Sequence, residues 1–262
     1  MSVLVIGGTG KTGAPIVRGL RARGVQTFAA SRKGERTFDW ADAASWGPAL
    51  AGVDRLYAIA PLGDARPQDR MVPLFEQALA GGVRRIVTLS SSAITEDAPG
   101  LGEVARWVRT HVPEWTVLRP SWFMQNFFDA AGFHAKTIAA ERKIVSATGA
   151  GRVPFVDAED IAAVAVRALT DEIPHQTAHV ITGPEALSYD EVARILGVRH
   201  EPLRFDAFAA FLTSQGIPTD YAQVLAHLDM LIASGAQAEV TGTVARVTGR
   251  PPRSFADFVR SR

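Results

Sequence analysis

Val3-Leu4-Val5-Ile6 runs straight into Gly7-Gly8-Thr9-Gly10-Lys11-Thr12-Gly13, after which Ile16, Val17 and Leu20 share one helical face. An apolar strand, a glycine-spaced turn and an amphipathic helix in that order predict the first strand–helix unit of an α/β sheet. Within G-x-G-x-x-G, Gly8 is expected to make the tight turn, Gly10 to admit a pyrophosphate and Gly13 to let the helix pack close to the strand. The helix N-terminus then offers N–H groups to the anion. Gly8, Thr9, Gly10, Lys11, Thr12 and Gly13 are therefore expected to hold a dinucleotide. Gly10-Lys11-Thr12 also resembles the end of a triphosphate-binding P-loop, but that motif needs a glycine where Val5 stands.

Working outward, strands are expected at Val3–Gly7, Gln26–Ala30, Thr37–Trp40, Leu56–Pro61, Arg85–Ser90, Thr116–Arg119 and His179–Thr182. Helical patterns lie between them, one with Val72, Phe75, Glu76 and Leu79 on a common face. This alternation predicts an α/β fold, a Rossmann-type doubly wound parallel sheet with a smaller interwoven C-terminal substrate lobe. The expected division is residues 1–150 for the dinucleotide-binding domain and 151–262 for a mostly helical lobe packed on the sheet. In the latter, Ser188-Tyr189-Asp190-Glu191 has capping-box spacing, Gly197 is placed to stop its helix, and 205–235 reads as largely helical.

Composition narrows the function classes. Lysine plus arginine number 28 and aspartate plus glutamate 27, so no basic excess points to nucleic acid. With no cysteine, disulfides, cysteine nucleophiles and thiolate metal sites are excluded. No apolar run approaches the roughly 18 residues of a membrane span, and no targeting leader is read. The expectation is a cytoplasmic monomer or homodimer with a small-molecule substrate, and with no nucleic-acid or membrane partner.

The end of the second strand chooses the cofactor. An acid about 20 residues past the glycines would take the ribose 2′-hydroxyl of NAD. Ser31-Arg32-Lys33 stands there, a hydroxyl and two cations suited to a 2′-phosphate, and predicts NADP(H). The alternative is a solvated basic turn.

The chain resembles the NmrA-like branch of atypical short-chain dehydrogenases. The resemblance is carried by Gly7–Gly13, Phe38-Asp39-Trp40, Ala60-Pro61, Ser90-Ser91-Ser92, Leu118–Asn126 and Val247–Pro252. Within that branch it is most similar to bacterial homologues of the ergot-alkaloid iminium reductases. The resemblance implies that Asp39 and Trp40 lie near the adenine, and Ala60 and Pro61 along the ribose and pyrophosphate. Ser90 and Ser91 would stand by the nicotinamide ribose, with Pro120, Ser121 and Phe123 bordering the nicotinamide.

The usual acid pair of short-chain dehydrogenases, a tyrosine with a lysine four residues later, is missing. Pro61, Ala193 and Leu225 follow Tyr57, Tyr189 and Tyr221 at that spacing. Without a positioned acid, hydride transfer suits an acceptor that is already electrophilic, an imine, iminium or quinone. The expected function is an NADPH-dependent reductase of such an acceptor, with a cyclic imine of secondary metabolism as one example. The alternative is a non-enzymatic dinucleotide-binding redox sensor of the NmrA type. In the aromatic stretch from Trp122 to Phe133, Trp122, Met124 and Phe127 are expected to line an apolar substrate pocket, or else to be core. Asn126, His134 and Lys136 are the nearest polar groups for catalysis. Asp157, Glu159 and Asp160 read as acids at a helix start rather than metal ligands.

Overall fold

Apolar runs become strands and the amphipathic stretches between them become helices in a computed structural model that describes residues 1–262. In chain order these are β1 (Ser2–Ile6), α1 (Gly13–Arg21), β2 (Gln26–Ser31), β3 (Arg36–Thr37), α2 (Trp46–Leu50), β4 (Arg55–Ala58) and α3 (Gln68–Ala80). Next come β5 (Arg85–Leu89), α4 (Leu101–His111), β6 (Glu114–Pro120), α5 (Phe133–Glu141), β7 (Lys143–Ser146), β8 (Arg152–Val153), α6 (Ala158–Thr170) and β9 (Thr177–Ile181). The chain ends with β10 (Leu187–Ser188), α7 (Tyr189–Leu196), β11 (Arg199–Pro202), α8 (Phe205–Ser214), α9 (Thr219–Ala233), α10 (Thr243–Thr248) and α11 (Phe255–Arg260). No helix is long and apolar enough to cross a membrane.

The residues divide into two compact units. One holds Met1–Pro120, Ala158–Ile181 and Thr243–Arg250, and the other Ser121–Asp157, Thr182–Gly242 and Pro251–Arg262. The chain therefore first changes unit after Pro120, ahead of the residue 150 read from sequence. It returns because β9 supplies a further strand to the first unit's sheet.

That sheet has seven parallel strands in the order β3-β2-β1-β4-β5-β6-β9. Val5 of β1 lies beside Ala29 on one side and Tyr57 on the other. The order reverses at β1 and β4, which makes the carboxyl ends of those strands the switch point where open α/β sheets take ligands. Every residue of β1 and β5 is buried, as a parallel sheet covered on both faces requires. Leu4, Leu56 and Ile86 share a core with Leu74 and Phe75 of α3 and Val108 of α4.

Two local expectations change. The inward face of α3 is Met71, Leu74, Phe75 and Ala78, while Glu76 is solvent-facing. Turning the helix by one residue replaces a carboxylate with apolar side chains in the core. The third strand also ends at Thr37 instead of Trp40, because an aromatic cluster bends the chain. Phe38 lies edge-on to Trp40 at 5.0 Å between ring centroids, and Trp46 Nε1 donates to the Asp39 carbonyl at 2.9 Å.

Arg85 is the largest buried side chain of this unit, 2% exposed. Its Nε pairs with Glu114 at 2.7 Å, and its Nη1 donates to the carbonyls of Ala168 at 3.2 Å and Asp171 at 2.6 Å. One guanidinium thus ties β5 to β6 and to the end of α6.

In the second unit β7 pairs parallel with β11 and β8 antiparallel with β10. Met124, Phe127, Phe155, Tyr189, Phe255 and Phe258 form its aromatic core. A second cluster, centred on Phe208, Leu212, Ala222 and Ala226, joins α8 to α9. The capping box at Ser188 and Glu191 forms, and Gly197 closes α7 in the left-handed conformation. Asp229 of α9 is buried, and its Oδ2 accepts the Ala147 N–H at 2.7 Å.

Two stability predictions follow from these buried charges. Arg85→Met strands Glu114 and the two carbonyls, and urea denaturation is expected to show a loss of about 3 kcal/mol. Burial pushes the Asp229 carboxyl from the usual 3.8 up to about 7. Between those pH values the folded chain keeps a proton that the unfolded chain has released. The stability from this group is therefore full below about pH 4 and lost as pH rises to about 7. Asp229→Asn keeps an acceptor for Ala147 and removes the titration. Its stability relative to the parent is expected to rise from pH 4 to 7, by at most about 4 kcal/mol.

Candidate cofactor site

The glycine loop at the end of β1 is built by steric exclusion. Gly7 takes φ +73°, and a Cβ there would lie 2.7 Å from Ile59 Cγ2. Gly7, not Gly8, therefore makes the left-handed turn, which corrects the role read from the motif. Gly8 is required for a different reason: its Cβ would lie 2.8 Å from Ala29 Cα and 2.9 Å from the Val5 carbonyl. At Gly13 a Cβ would fall 2.0 Å from the Gly7 carbonyl oxygen, so α1 starts directly against the end of β1. Gly10, by contrast, has only the Gly7 carbonyl near its Cβ position, at 3.2 Å, and is exposed together with Thr9 and Lys11.

Thr12 precedes α1 but does not cap it with its side chain. Its buried hydroxyl accepts instead from Tyr57 Oη at 2.9 Å. Tyr57 thereby braces the loop from β4, and the first turn of α1 keeps backbone N–H groups uncapped by any side chain, as an anion site requires.

At the end of β2, Ser31 is half-buried and Arg32 and Lys33 are exposed. The turn closes with the Gly34 N–H donating to the Ser31 carbonyl at 3.1 Å and the Lys33 N–H to Ser31 Oγ at 3.3 Å. Glu35 is an acid in this same turn that sequence reasoning passed over. Its two oxygens lie 2.5 and 2.6 Å from Arg21 Nη2, and Oε2 also accepts the Ala29 N–H at 3.3 Å. Arg21 and the Ala29 amide hold the Glu35 carboxyl below the usual carboxylate range.

Further along the same edge, Asp39 and Trp40 are half-buried, with Trp40 backed by Phe38 and Trp46. Ala60 and Pro61 follow β4 and keep part of their surface open. Ser90 and Ser91 follow β5 in a loop fixed by main-chain bonds. The Ser90 N–H donates to the Leu118 carbonyl at 2.7 Å and the Ser92 N–H to the Pro120 carbonyl at 2.9 Å. Arg119 completes the loop by donating from Nε to the Ser91 carbonyl at 3.3 Å and from Nη2 to the Ser92 carbonyl at 3.2 Å. Arg119 lies within the Leu118–Asn126 stretch, but its role was not readable there, because its partners are carbonyls 28 and 27 positions away in sequence.

Gly8, Thr9, Gly10, Lys11, Thr12, Gly13, Ser31, Arg32, Lys33, Asp39, Trp40, Ala60, Pro61, Ser90, Ser91 and Pro120 thus all stand at the carboxyl ends of parallel strands in the first unit. A cradle that no Cβ could enter, an open glycine above it and two exposed cations one strand away fit a phosphorylated dinucleotide.

The remaining expected residues belong to the second unit. Ser121 is 4% exposed and its Oγ has no hydrogen-bond partner, while Trp122, Phe123 and Asn126 are half-buried. Met124 and Phe127 are 0% and 2% exposed, and Phe127 packs edge-on against Phe155, Tyr189 and Phe255. These two are core side chains and not pocket lining, which corrects their assignment to substrate. His134 is also buried, 4.9 Å from the Phe127 ring, and desolvation followed by His200 lowers its pKa to about 3. It is neutral at physiological pH and carries no imidazolium proton. Lys136 points outward on α5, exposed.

Ser146 Oγ lies 2.8 Å from His200 Nε2, and His200 Nδ1 lies 2.8 Å from Asp190 Oδ1. That spacing copies a hydrolase triad, but Ser146 is 0% exposed and bonded to Thr148, so this relay stitches β7 to β11. The three acids near α6 each meet an arginine: Asp157 with Arg253, Glu159 with Arg18, and Asp160 with Arg250. In the first unit, His175 Nδ1 lies 2.9 Å from His179 Nε2, a pairing that sequence spacing did not reveal.

Residues 7–172 match the family model described as NAD(P)H-binding. An uncharacterised oxidoreductase of Bacillus subtilis is 42% identical, over 98% of this chain and 93% of its own. Agroclavine dehydrogenase of Claviceps fusiformis is 36% identical, over 99% and 96%. Among solved structures, the triphenylmethane reductase of Citrobacter sp. complexed with NADP(H) superposes over the full length of both chains, with a TM-score of 0.82 at 23% identity. The chain belongs to the NAD(P)H-binding family, as an oxidoreductase of its NmrA-like branch of atypical short-chain dehydrogenases.

Proposed function

We propose that the chain is an NADPH-dependent reductase that delivers hydride to a small, already electrophilic acceptor of the imine, iminium or quinone type. The observation that carries this reading is the state of its possible proton donors. Tyr57 and Tyr189 are buried, with phenols pushed well above their ordinary range by desolvation, and Tyr57 is committed to Thr12. Tyr221, on α9, is followed four residues later by Leu225 and not lysine. His134 is neutral, and Lys136 faces solvent.

Reduction of a simple ketone gains about 10²–10⁴-fold from an acid placed to protonate the developing alkoxide. An iminium carbon, or an imine already protonated in solution, takes hydride and becomes a neutral amine, and a quinone spreads the incoming charge over its ring. Neither needs a proton in the same step. The protein's contribution is then to hold the acceptor against the dinucleotide and keep water out. NADPH, when bound, supplies the hydride.

In this reading the loop Gly7–Gly13 and the start of α1 receive the pyrophosphate, and Ser31, Arg32 and Lys33 receive the 2′-phosphate. Trp40 offers a surface for the adenine, and Ser90 and Ser91, held by Arg119, meet the nicotinamide ribose. Within the second unit, Trp122 and Phe123 keep part of their aromatic surface open, a surface suited to a flat, apolar molecule. Identity of 36% with an agroclavine dehydrogenase supports an acceptor of this kind.

The test is turnover with NADPH across a cyclic imine, a quinone and an unactivated ketone. Imine or quinone reduction at least about 10²-fold above the ketone is expected. Efficient ketone reduction alone would contradict the reading, and tight NADPH binding without turnover of any acceptor would favour a sensor. Lys136→Ala is expected to leave kcat within about threefold, since its side chain donates to no reacting group. Arg32→Asp is expected to weaken NADPH at least about tenfold in a calorimetric titration, with NADH unchanged or tighter.

A further inference from the structure

The turn after β2 holds an acid as well as two cations, and what distinguishes them is where their charges are directed. Gly34 folds the turn tightly back on the strand: a Cβ there would lie 2.5 Å from the Ala29 carbonyl and 2.7 Å from the Ser31 nitrogen. Arg36 is in register with Ala30 and Thr37 with Ser31. The Glu35 backbone therefore stands within one side chain's length of the end of β2, where the acid of an NAD-binding fold meets the ribose hydroxyls. Its carboxylate is nevertheless turned back along β2, bonded to the Ala29 N–H and to Arg21 Nη2. Arg21, in the last turn of α1, is itself fixed by donating to the Thr27 carbonyl at 3.1 Å. At about 3.3 Å per residue, the Ala29 amide lies roughly 7 Å upstream of Ser31.

We propose that Arg21 sets cofactor preference without touching the cofactor, by holding the Glu35 carboxylate away from the 2′ position at Ser31-Arg32-Lys33. With the acid locked upstream, the turn presents a hydroxyl and two cations, and a 2′-phosphate is favoured. Released, the same acid would repel that phosphate and offer an acceptor to a 2′-hydroxyl. Arg21 is thus a specificity-determining positioning residue. The inference rests on the reading that Ser31-Arg32-Lys33 receives the 2′-phosphate.

The experiment is a calorimetric titration of NADPH and of NADH into four proteins: parent, Arg21→Gln, Glu35→Gln and the double variant. Thermal denaturation accompanies each, and because the Arg21 and Glu35 side chains are both exposed, little change in Tm is expected. Arg21→Gln is expected to weaken NADPH about tenfold (about 1.4 kcal/mol) while NADH is unchanged or tighter. Glu35→Gln alone is expected to stay within about twofold of the parent for both nucleotides, and the double variant within about threefold. Recovery in the double variant is the signature, because Arg21 then matters only while Glu35 carries charge. An NADPH-to-NADH ratio in Arg21→Gln within about twofold of the parent would overturn the proposal. So would a double variant as weak as Arg21→Gln, since Arg21 would then act on the nucleotide itself. Arg32→Asp in parallel separates the underlying reading: unchanged NADPH affinity there would remove the 2′-phosphate site, whatever Arg21 does.

Discussion

The contact on which the site depends is the approach of Gly13 to the Gly7 carbonyl. A single methyl group at Gly13 would sit 2.0 Å from that oxygen, closer than any atom can approach. Because the position is bare, α1 begins directly at the end of β1, in the middle of a sheet whose strand order reverses beside it. Gly7 turns the chain into that contact at φ +73°, and Gly8 keeps the loop flat against Ala29 of β2. The Tyr57–Thr12 bond then holds the loop from β4. Helix start, neighbouring strands and open glycine are thus positioned together, before any ligand arrives, and the dinucleotide meets a prepared surface.

Around this centre, arginines do much of the fixing. Arg85 gathers β5, β6 and the end of α6; Arg119 pins the serine loop after β5; Arg21 anchors the acid of the β2 turn. In each case a planar guanidinium reaches main-chain carbonyls or a carboxylate far away in sequence, a task for which its fan of donors is suited. The effect is that loops carrying few apolar contacts of their own hold definite shapes at the carboxyl edge of the sheet.

Much of this was legible in the residues. Short apolar runs between glycines gave away the parallel strands, and Ser188, Glu191 and Gly197 marked both ends of α7 through local hydrogen bonding alone. The glycine loop was legible as a site, but not which glycine turns: Gly7 and Gly8 are adjacent, and only the position of Ile59 and Ala29 assigns their roles. The inward face of α3 was ambiguous because Val72 and Leu79 are apolar on a flank that is only half-buried. Met124 and Phe127 read equally as core or pocket, and burial against Phe155 and Tyr189 decided it. The tethering roles of Arg119 and of the Arg21–Glu35 pair were not legible, since their partners are brought close only by the sheet.

The chemistry proposed for this site separates hydride transfer from proton delivery, and isotopes test that separation directly. Single-turnover reduction of an N-alkylated cyclic iminium ion can be followed with NADPH and with NADPH deuterated at the transferred position, each in H₂O and D₂O. If no side chain protonates the acceptor in the hydride step, the deuterated cofactor slows transfer about twofold or more while the solvent isotope effect stays near about 1. A solvent effect of about 2 or more on that same step would place an acid in the transition state and contradict the mechanism.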